Sequence, residues 1–199
     1  AEAIRTLAFS VRKHSLRQRA FLVVTDSALP DVVDASLRAD GISVEIVNAK
    51  EWTFPQGGAF GIMNSDNTDE QQSWWHERGI TPTAVKLAIW NFTAYDCLVF
   101  LDADTLLLDS VDELFEVTTF ASGMNTYSQN RGHFLHRFVI GVGINSGVMV
   151  VQPSATIAAE MAKQMADGVW SNSKVAEHLG QSDQPWLDSF WLSRSQRFG

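Results

Sequence analysis

Between Asp96 and Phe115 the chain reads Asp-Cys-Leu-Val-Phe-Leu-Asp-Ala-Asp-Thr-Leu-Leu-Leu-Asp-Ser-Val-Asp-Glu-Leu-Phe, and no other stretch restricts the possible folds as much. Cys97–Leu101 is an unbroken apolar run with β-branched and aromatic members, the pattern of a strand buried on both faces. It stops at Asp102-Ala103-Asp104. In an extended chain, residues two apart point to the same side, roughly 6.5–7 Å apart. Carboxylates placed so close repel unless positive charge lies between them. One arrangement that relieves the repulsion is a hard divalent cation, Mg²⁺ or Mn²⁺, held directly or through water. The other is a turn in which one Asp caps the following helix and its neighbour is solvated. Spacing alone leaves both open.

Two further acidic motifs are excluded by their missing parts. Asp102 to Thr105 fits the Asp-x-Asp-x-Thr opening of a haloacid-dehalogenase-type phosphatase. That chemistry also requires a downstream lysine and a second acidic pair. Lys163 and Lys174 are the only later lysines, and no acidic pair follows either. An EF-hand loop counted from Asp102 would end on Glu113, but Leu106 and Leu107 occupy a ligand position and the turn-glycine position.

Around this stretch, helical and strand periodicities alternate. Ile4, Leu7, Ala8 and Val11 form a helical stripe, Ala20–Thr25 reads as a buried strand, and Asp31–Ala39 reads as a helix ended by Gly41. Ser43–Val47 alternates like a half-buried strand. This order predicts an α/β protein with a parallel sheet flanked by helices. Residues 50–81 break the rhythm, being polar and Gly-rich yet carrying Trp52, Phe54, Phe60, Trp74 and Trp75. Those rings can stack on a sugar or pack a lobe onto the core. Thr81-Pro82-Thr83 starts a helix that should run to about Phe92 and bury Val85, Ala88, Ile89 and Phe92, with Lys86 at the edge of that face. Asp109–Phe115 reads as a short capped helix and Phe120–Asn125 as a strand. Arg131, His133, His136 and Arg137 crowd a loop that is either solvated or suited to an acidic partner. Gly141–Gly147 leads into the apolar strand Val148–Val151, so it is not a dinucleotide fingerprint, and Ser146 does not complete a nucleophile elbow. Pro153-Ser154 opens a helix through Met165, and Ser182–Pro185 opens one carrying Trp186, Leu187, Phe190 and Trp191.

At 199 residues with 45% apolar content and seven tryptophans, the chain suits one domain with a sizeable core. A net charge of -8 opposes non-specific binding to nucleic acid, which depends on phosphate neutralisation. No apolar run approaches the ~18–20 residues that span a bilayer. The single cysteine, Cys97, sits in the core strand and excludes an intrachain disulfide. This leans towards a reducing, cytoplasmic compartment, with the secretory-pathway lumen still compatible.

The segment Thr83-Ala84-Val85-Lys86-Leu87-Ala88-Ile89-Trp90-Asn91-Phe92-Thr93-Ala94-Tyr95-Asp96, followed by Leu98–Thr105, resembles the family-8 glycosyltransferases, the glycogenin-like group. Val111–Phe115, Asn145-Ser146-Gly147-Val148 with Gln152-Pro153-Ser154, and Asp183-Gln184 agree with that group in order and spacing, as does Ala1–Asn48. The resemblance implies a GT-A (Rossmann-like) α/β/α sandwich with a mostly parallel central sheet. It implies an anomer-retaining transferase that moves a sugar from a nucleotide-diphosphate donor, usually a UDP-sugar, to a carbohydrate or protein acceptor. Asp102 and Asp104 would hold Mn²⁺ (or Mg²⁺), with Ala103 between them at the donor. Lys86 would be a second cation near the diphosphate or sugar. Asn145, Ser146, Asp183 and Gln184 would line the donor sugar, and Asp183 and Lys86 would serve catalysis.

Two departures accompany the likeness. The family's first strand with its nucleotide-contacting turn is expected before Ala1, and its His-x-x-Gly-x-x-Lys-Pro-Trp motif well after Gln184. The expectation is therefore a single domain over 1–199, incomplete at both ends, with 49–81 a long loop or insertion, working within a larger parent protein or a homo-oligomer. The alternative is a glycosyltransferase-like scaffold or interaction domain without catalysis. An acidic pair that repels itself has no physical use in such a scaffold.

Overall fold

The computed structural model describes residues 1–48, 52, 85–130, 137–167 and 183–195. Apart from Trp52, the long segment expected at 49–81 lies outside these residues. So do the Thr81-Pro82-Thr83 helix start, the Arg131, His133 and His136 group, and Ser182.

The stripe of Ile4, Leu7 and Val11 winds into α1 (Glu2–His14). Its acidic residue lies in the first turn and Arg12, Lys13 and His14 in the last, as the helix dipole favours. Strand β1 (Phe21–Thr25) leads through α2 (Asp31–Ala39) to β2 (Ile42–Ile46). The two strands pair in parallel, Phe21 opposite Ile42 and Thr25 opposite Ile46. Along β2 the side chains alternate, with Ile42 and Val44 buried and Ser43 and Glu45 exposed. Gly41 makes this connection possible: its φ of 70° is left-handed backbone that a side chain would resist, and its N–H donates back to the carbonyl of Arg38. Ala8, Leu37, Ile42 and Val44 form the small core between these helices and strands.

Val85–Asn91 is helical as expected, but wound as a 3₁₀ helix. With three residues per turn, and with cover on several sides, it buries Leu87, Ala88, Ile89 and Trp90, while Val85 and Phe92 stay half-buried. Strand β3 (Leu98–Leu101) follows, then a 3₁₀ turn at Asp112–Glu116, β4 (Ala121–Asn130) and the long β5 (Arg137–Val151). These three strands form an antiparallel sheet with β5 in the middle. The described strands thus form two sheets, the N-terminal one parallel and the other antiparallel. Helices α3 (Ala155–Ala166) and α4 (Asp183–Ser195) complete the described chain. Ser154 caps α3, its Oγ accepting from the N–H of Ile157, and its own N–H donates to the carbonyl of Trp90 at 2.8 Å.

The main core joins the 3₁₀ helix, β5, α3 and α4 through Trp90, Met149, Met161, Met165, Trp186 and Phe190. Phe120 and Trp191 stack at its margin, 4.7 Å between centroids. Strands β1 and β3 do not pair. They border a cavity of about 860 Å³ lined by Ile4, Leu7, Val11, Phe21, Leu98 and Phe100. Cys97 also lines it, half-buried, and burial pushes its thiol pKa up. Among the described residues no helix is long and apolar enough to cross a membrane.

Candidate active site

Asp102 continues the pairing of β3 one residue beyond Leu101, its N–H donating to the carbonyl of Gly147 at 2.9 Å. The chain then turns sharply: the N–H of Thr105 returns to the carbonyl of Asp102 at 3.0 Å. Asp102 and Asp104 are therefore the first and third residues of a turn, not two rungs of an extended strand, because the sheet ends at Leu101. Asp102 does not cap the next helix. Its Oδ1 lies 3.2 Å from Lys86 Nζ. Ala103 and Asp104 are exposed, and among the described residues no hydrogen bond or ion pair engages Asp104.

Lys86 reaches this point from the 3₁₀ helix, with its ammonium 5.5 Å from the ring centre of Phe100 on β3. It faces three acceptors. Besides Asp102 these are Ser146 Oγ at 3.1 Å and Asp183 Oδ2 at 3.1 Å. The Ser146 hydroxyl accepts from Lys86 and donates to Asp183. Ser146 is fully buried, whereas Lys86, Asp102 and Asp183 keep partial access to solvent. Asp183 opens α4, where the helix dipole favours a carboxylate.

A break in the β4–β5 ladder turns Ser146 inward. Ser122 lies opposite Met149, but its neighbour Gly123 lies opposite Asn145, so β5 bulges over residues 146–148. At the edge of the bulge Asn145 is exposed and its Oδ1 accepts from the N–H of Gly147 at 2.9 Å. Gly147 is needed for close approach: a Cβ there would stand 3.0 Å from Asn145 Oδ1 and 3.2 Å from Asp102 Oδ2.

Of the residues singled out from the sequence, Lys86, Asp102, Ser146 and Asp183 form one hydrogen-bonded and ion-paired cluster. Asn145 lies beside it at the edge of the bulge, Gln184 follows Asp183 in the first turn of α4, and Ala103 and Asp104 form the exposed rim. Two contributors escaped the sequence reading. Gly147 stood inside a quoted motif without a role. Asp188, buried on α4, accepts from the N–H of Ile144 at 2.7 Å. A carboxylate set within the apolar Trp186, Leu187, Phe190 and Trp191 was the available signal for a buried acceptor.

One ammonium faces the two carboxylates of Asp102 and Asp183, leaving an excess of negative charge, and the exposed Asp104 follows on the same turn. Among the described residues no group of three or more His, Cys, Asp or Glu side chains gathers tightly enough to hold a metal ion by itself. The hard carboxylate oxygens at the rim nevertheless suit a hard divalent cation that takes its other ligands from a substrate or water.

No family model matches the chain. It is 25% identical over 188 residues to inositol phosphorylceramide glucuronosyltransferase 1 of Arabidopsis thaliana, covering 94% of this chain and 27% of that protein. Human glycogenin-2 is 29% identical over 147 residues, 73% of this chain and 24% of its own length. Rabbit (Oryctolagus cuniculus) glycogenin-1 is 37% identical over 155 residues, 77% of this chain and 38% of its own length. The chain thus spans well under half the length of each of these relatives.

Proposed function

The chain belongs with the glycogenin-like family-8 glycosyltransferases, and on that footing we propose that its protein transfers a sugar from a UDP-sugar to an acceptor hydroxyl with retention at the anomeric carbon. The observation that carries this reading is the convergence of Lys86, Asp102, Ser146 and Asp183. They come from four separate segments, each a motif that aligned the chain with the family.

The electrostatics support a metal-dependent donor site. A diphosphate entering alone would meet more negative than positive charge. Asp102 and Asp104 would hold Mn²⁺ or Mg²⁺, which when bound acts as a Lewis acid on the leaving diphosphate. Lys86 supplies a further positive charge to the diphosphate, exchanging part of its pairing with Asp102. Asp183 accepts hydrogen bonds from the sugar hydroxyls and the exposed Asn145 accepts and donates them, fixing the anomeric carbon, while the buried Ser146 lines the site from below and holds Asp183 in place. The acceptor hydroxyl attacks from the face on which the nucleotide departs. Its oxygen forms the new glycosidic bond, the bond to the diphosphate breaks, and the hydroxyl proton leaves with the departing diphosphate oxygen.

The test is calorimetric titration of the full-length protein with UDP, with and without Mn²⁺, followed by transfer assays. UDP-glucose and UDP-glucuronate are both used as donors, since several relatives are named for UDP-glucuronate. Metal-dependent UDP binding with transfer from either donor is expected. Absence of UDP binding under all conditions overturns the reading, while metal-dependent binding without transfer leaves a nucleotide-binding module.

A further inference from the structure

We propose that Asp188 is a positioning residue of this site, holding the bulge of β5 so that Ser146 and Asp183 meet Lys86; this rests on the transferase reading above. A carboxylate that is 7% exposed is costly to bury unless a donor satisfies it. Asp188 receives a backbone donor, the N–H of Ile144, at 2.7 Å. That donor lies two residues before Ser146, at the edge of the bulge. Met124 still pairs with Ile144 and Gly123 with Asn145, but the next rung of β4 meets Met149. Over residues 146–148 β4 therefore gives β5 no ladder, and other groups must fix its path.

Helix α4 grips this segment at two points. Asp188 holds the backbone at Ile144, and Asp183, five residues earlier, accepts from the hydroxyl of Ser146. Asn145 lies between the two anchors, and Gly147 is held beyond them through Asp102. The carboxylates of α4 thus fix both the bulge and the partner of Lys86 from one rigid element. Loss of the Ile144 anchor lets the bulge slide relative to α4. The Lys86 contacts at 3.1 Å then no longer form together. Displacements of about 1 Å in such a constellation can lower turnover by ~10²-fold.

The experiment compares Asp188→Ala, Asp188→Asn and Leu37→Ala in the full-length protein. Leu37 is fully buried in the separate N-terminal core and serves as a control for general destabilisation. Melting temperature, kcat, donor KM and amide hydrogen exchange of the peptide covering 144–147 are measured. Asp188→Ala is expected to lower kcat roughly ten- to hundredfold with donor KM changed by less than about threefold, and to speed exchange at 144–147. Asp188→Asn keeps a carbonyl acceptor for Ile144 and should recover most of kcat and the protection. Leu37→Ala should lower the melting temperature while leaving kcat, KM and 144–147 exchange unchanged. An Asp188→Ala enzyme no slower than Leu37→Ala, or an Asn variant as impaired as Ala, overturns the proposal. If the wild type neither binds UDP nor transfers sugar, the donor-site reading falls by itself. Exchange at 144–147 then decides alone whether Asp188 positions the bulge: acceleration in Asp188→Ala upholds it, and unchanged exchange sinks it.

Discussion

Gly147 marks the point where the β5 backbone passes closest to the acidic turn, and its missing side chain is part of the site. In Gly147→Ala the new methyl would meet Asn145 Oδ1 at 3.0 Å and Asp102 Oδ2 at 3.2 Å. Asn145 is exposed and can swing away, but Asp102 is tied to Lys86. The strain therefore falls on the donor site more than on the fold. We expect UDP affinity in Mn²⁺ to fall roughly tenfold, ~1.4 kcal/mol, with a melting temperature near wild type. Calorimetry showing unchanged affinity would mean that Asp102 does not bear on the nucleotide. Asp104 and Asp183 separate along the same line. Asp104 is exposed, so Asp104→Asn should leave stability alone and weaken only metal-dependent UDP binding. Asp183 is bound to Lys86 and Ser146, so Asp183→Asn should retain UDP binding while transfer falls, as for a group acting mainly in the transition state. If Asp104→Asn binds UDP with Mn²⁺ like the wild type, Asp104 is a solvated turn residue and no ligand. At this scale the sequence was informative about residue types: Lys86, Asp102, Ser146 and Asp183 were all named, and they meet. The turn at the acidic pair was one of two readings the spacing left open, whereas the pairing of Asp102 with Lys86, the role of Gly147 and the buried Asp188 were not legible, because each depends on a partner strand or helix far away in the chain.

Among the elements, periodicity located the helices and most strands, and Asp31–Ala39 and the Ser154 cap came out where the patterns put them. It did not reveal that Val85–Asn91 and Asp112–Glu116 are 3₁₀, a choice made by packing more than by local preference. Nor did it show β5 reaching back to Arg137, since the strand is Gly-rich before the continuous apolar run that begins at Val148. The short 3₁₀ turn at Asp112 has a task that its length conceals: it fastens the end of α1. Asp112 accepts from Ser15 Oγ at 2.7 Å, from the N–H of Leu16 at 2.6 Å and from Arg19 Nε at 3.3 Å, while the Arg19 guanidinium lies 3.6 Å over the Phe115 ring. The Ser15 hydroxyl first, then the Leu16 N–H and Arg19, lower the Asp112 pKa from 3.8 to about 2. Because the folded value is the depressed one, the stabilisation is fully present above pH 3.8 and is lost as pH falls through about 2. Asp112→Asn should therefore be less stable than wild type at neutral pH, with the two converging between pH 3.8 and about 2. Urea midpoints measured across that range provide the test. A difference that stays constant down to pH 2 would show that the charge of Asp112 adds nothing to the clamp.

For the molecule as a whole, the unequal division of its core should govern which part opens first. Around the 3₁₀ helix, β5, α3 and α4, large side chains such as Trp90, Trp186, Phe190 and Met161 are fully buried together. Each contributes roughly 1.5–3 kcal/mol on burial. The N-terminal layer buries only Ala8, Leu37, Ile42 and Val44 in its own cluster among the described residues. Its strand β1 is half-buried throughout, and the cavity of about 860 Å³ separates it from β3. This layer is joined to the rest by Val24 and Val47, half-buried against the main core, and by polar contacts: Ser15 and Leu16 on Asp112, and Ser10 Oγ accepting from the N–H of Leu107 at 3.2 Å. Polar attachments of this kind contribute about 0.5–1.5 kcal/mol each, more where a charge takes part. The α1–β1–α2–β2 layer should therefore open as a unit below the free energy of global unfolding, while β3, β5, α3 and α4 stay closed. In native-state hydrogen exchange, amides of Val23 and Val44 should exchange at least about tenfold faster than those of Met149 and Val150. Asp112→Asn should widen that gap by speeding only the N-terminal layer, since it loosens the attachment without touching either core. Equal protection across both sheets, or an Asp112→Asn effect spread evenly over the chain, would show instead that the two layers unfold as one cooperative body despite the cavity between them.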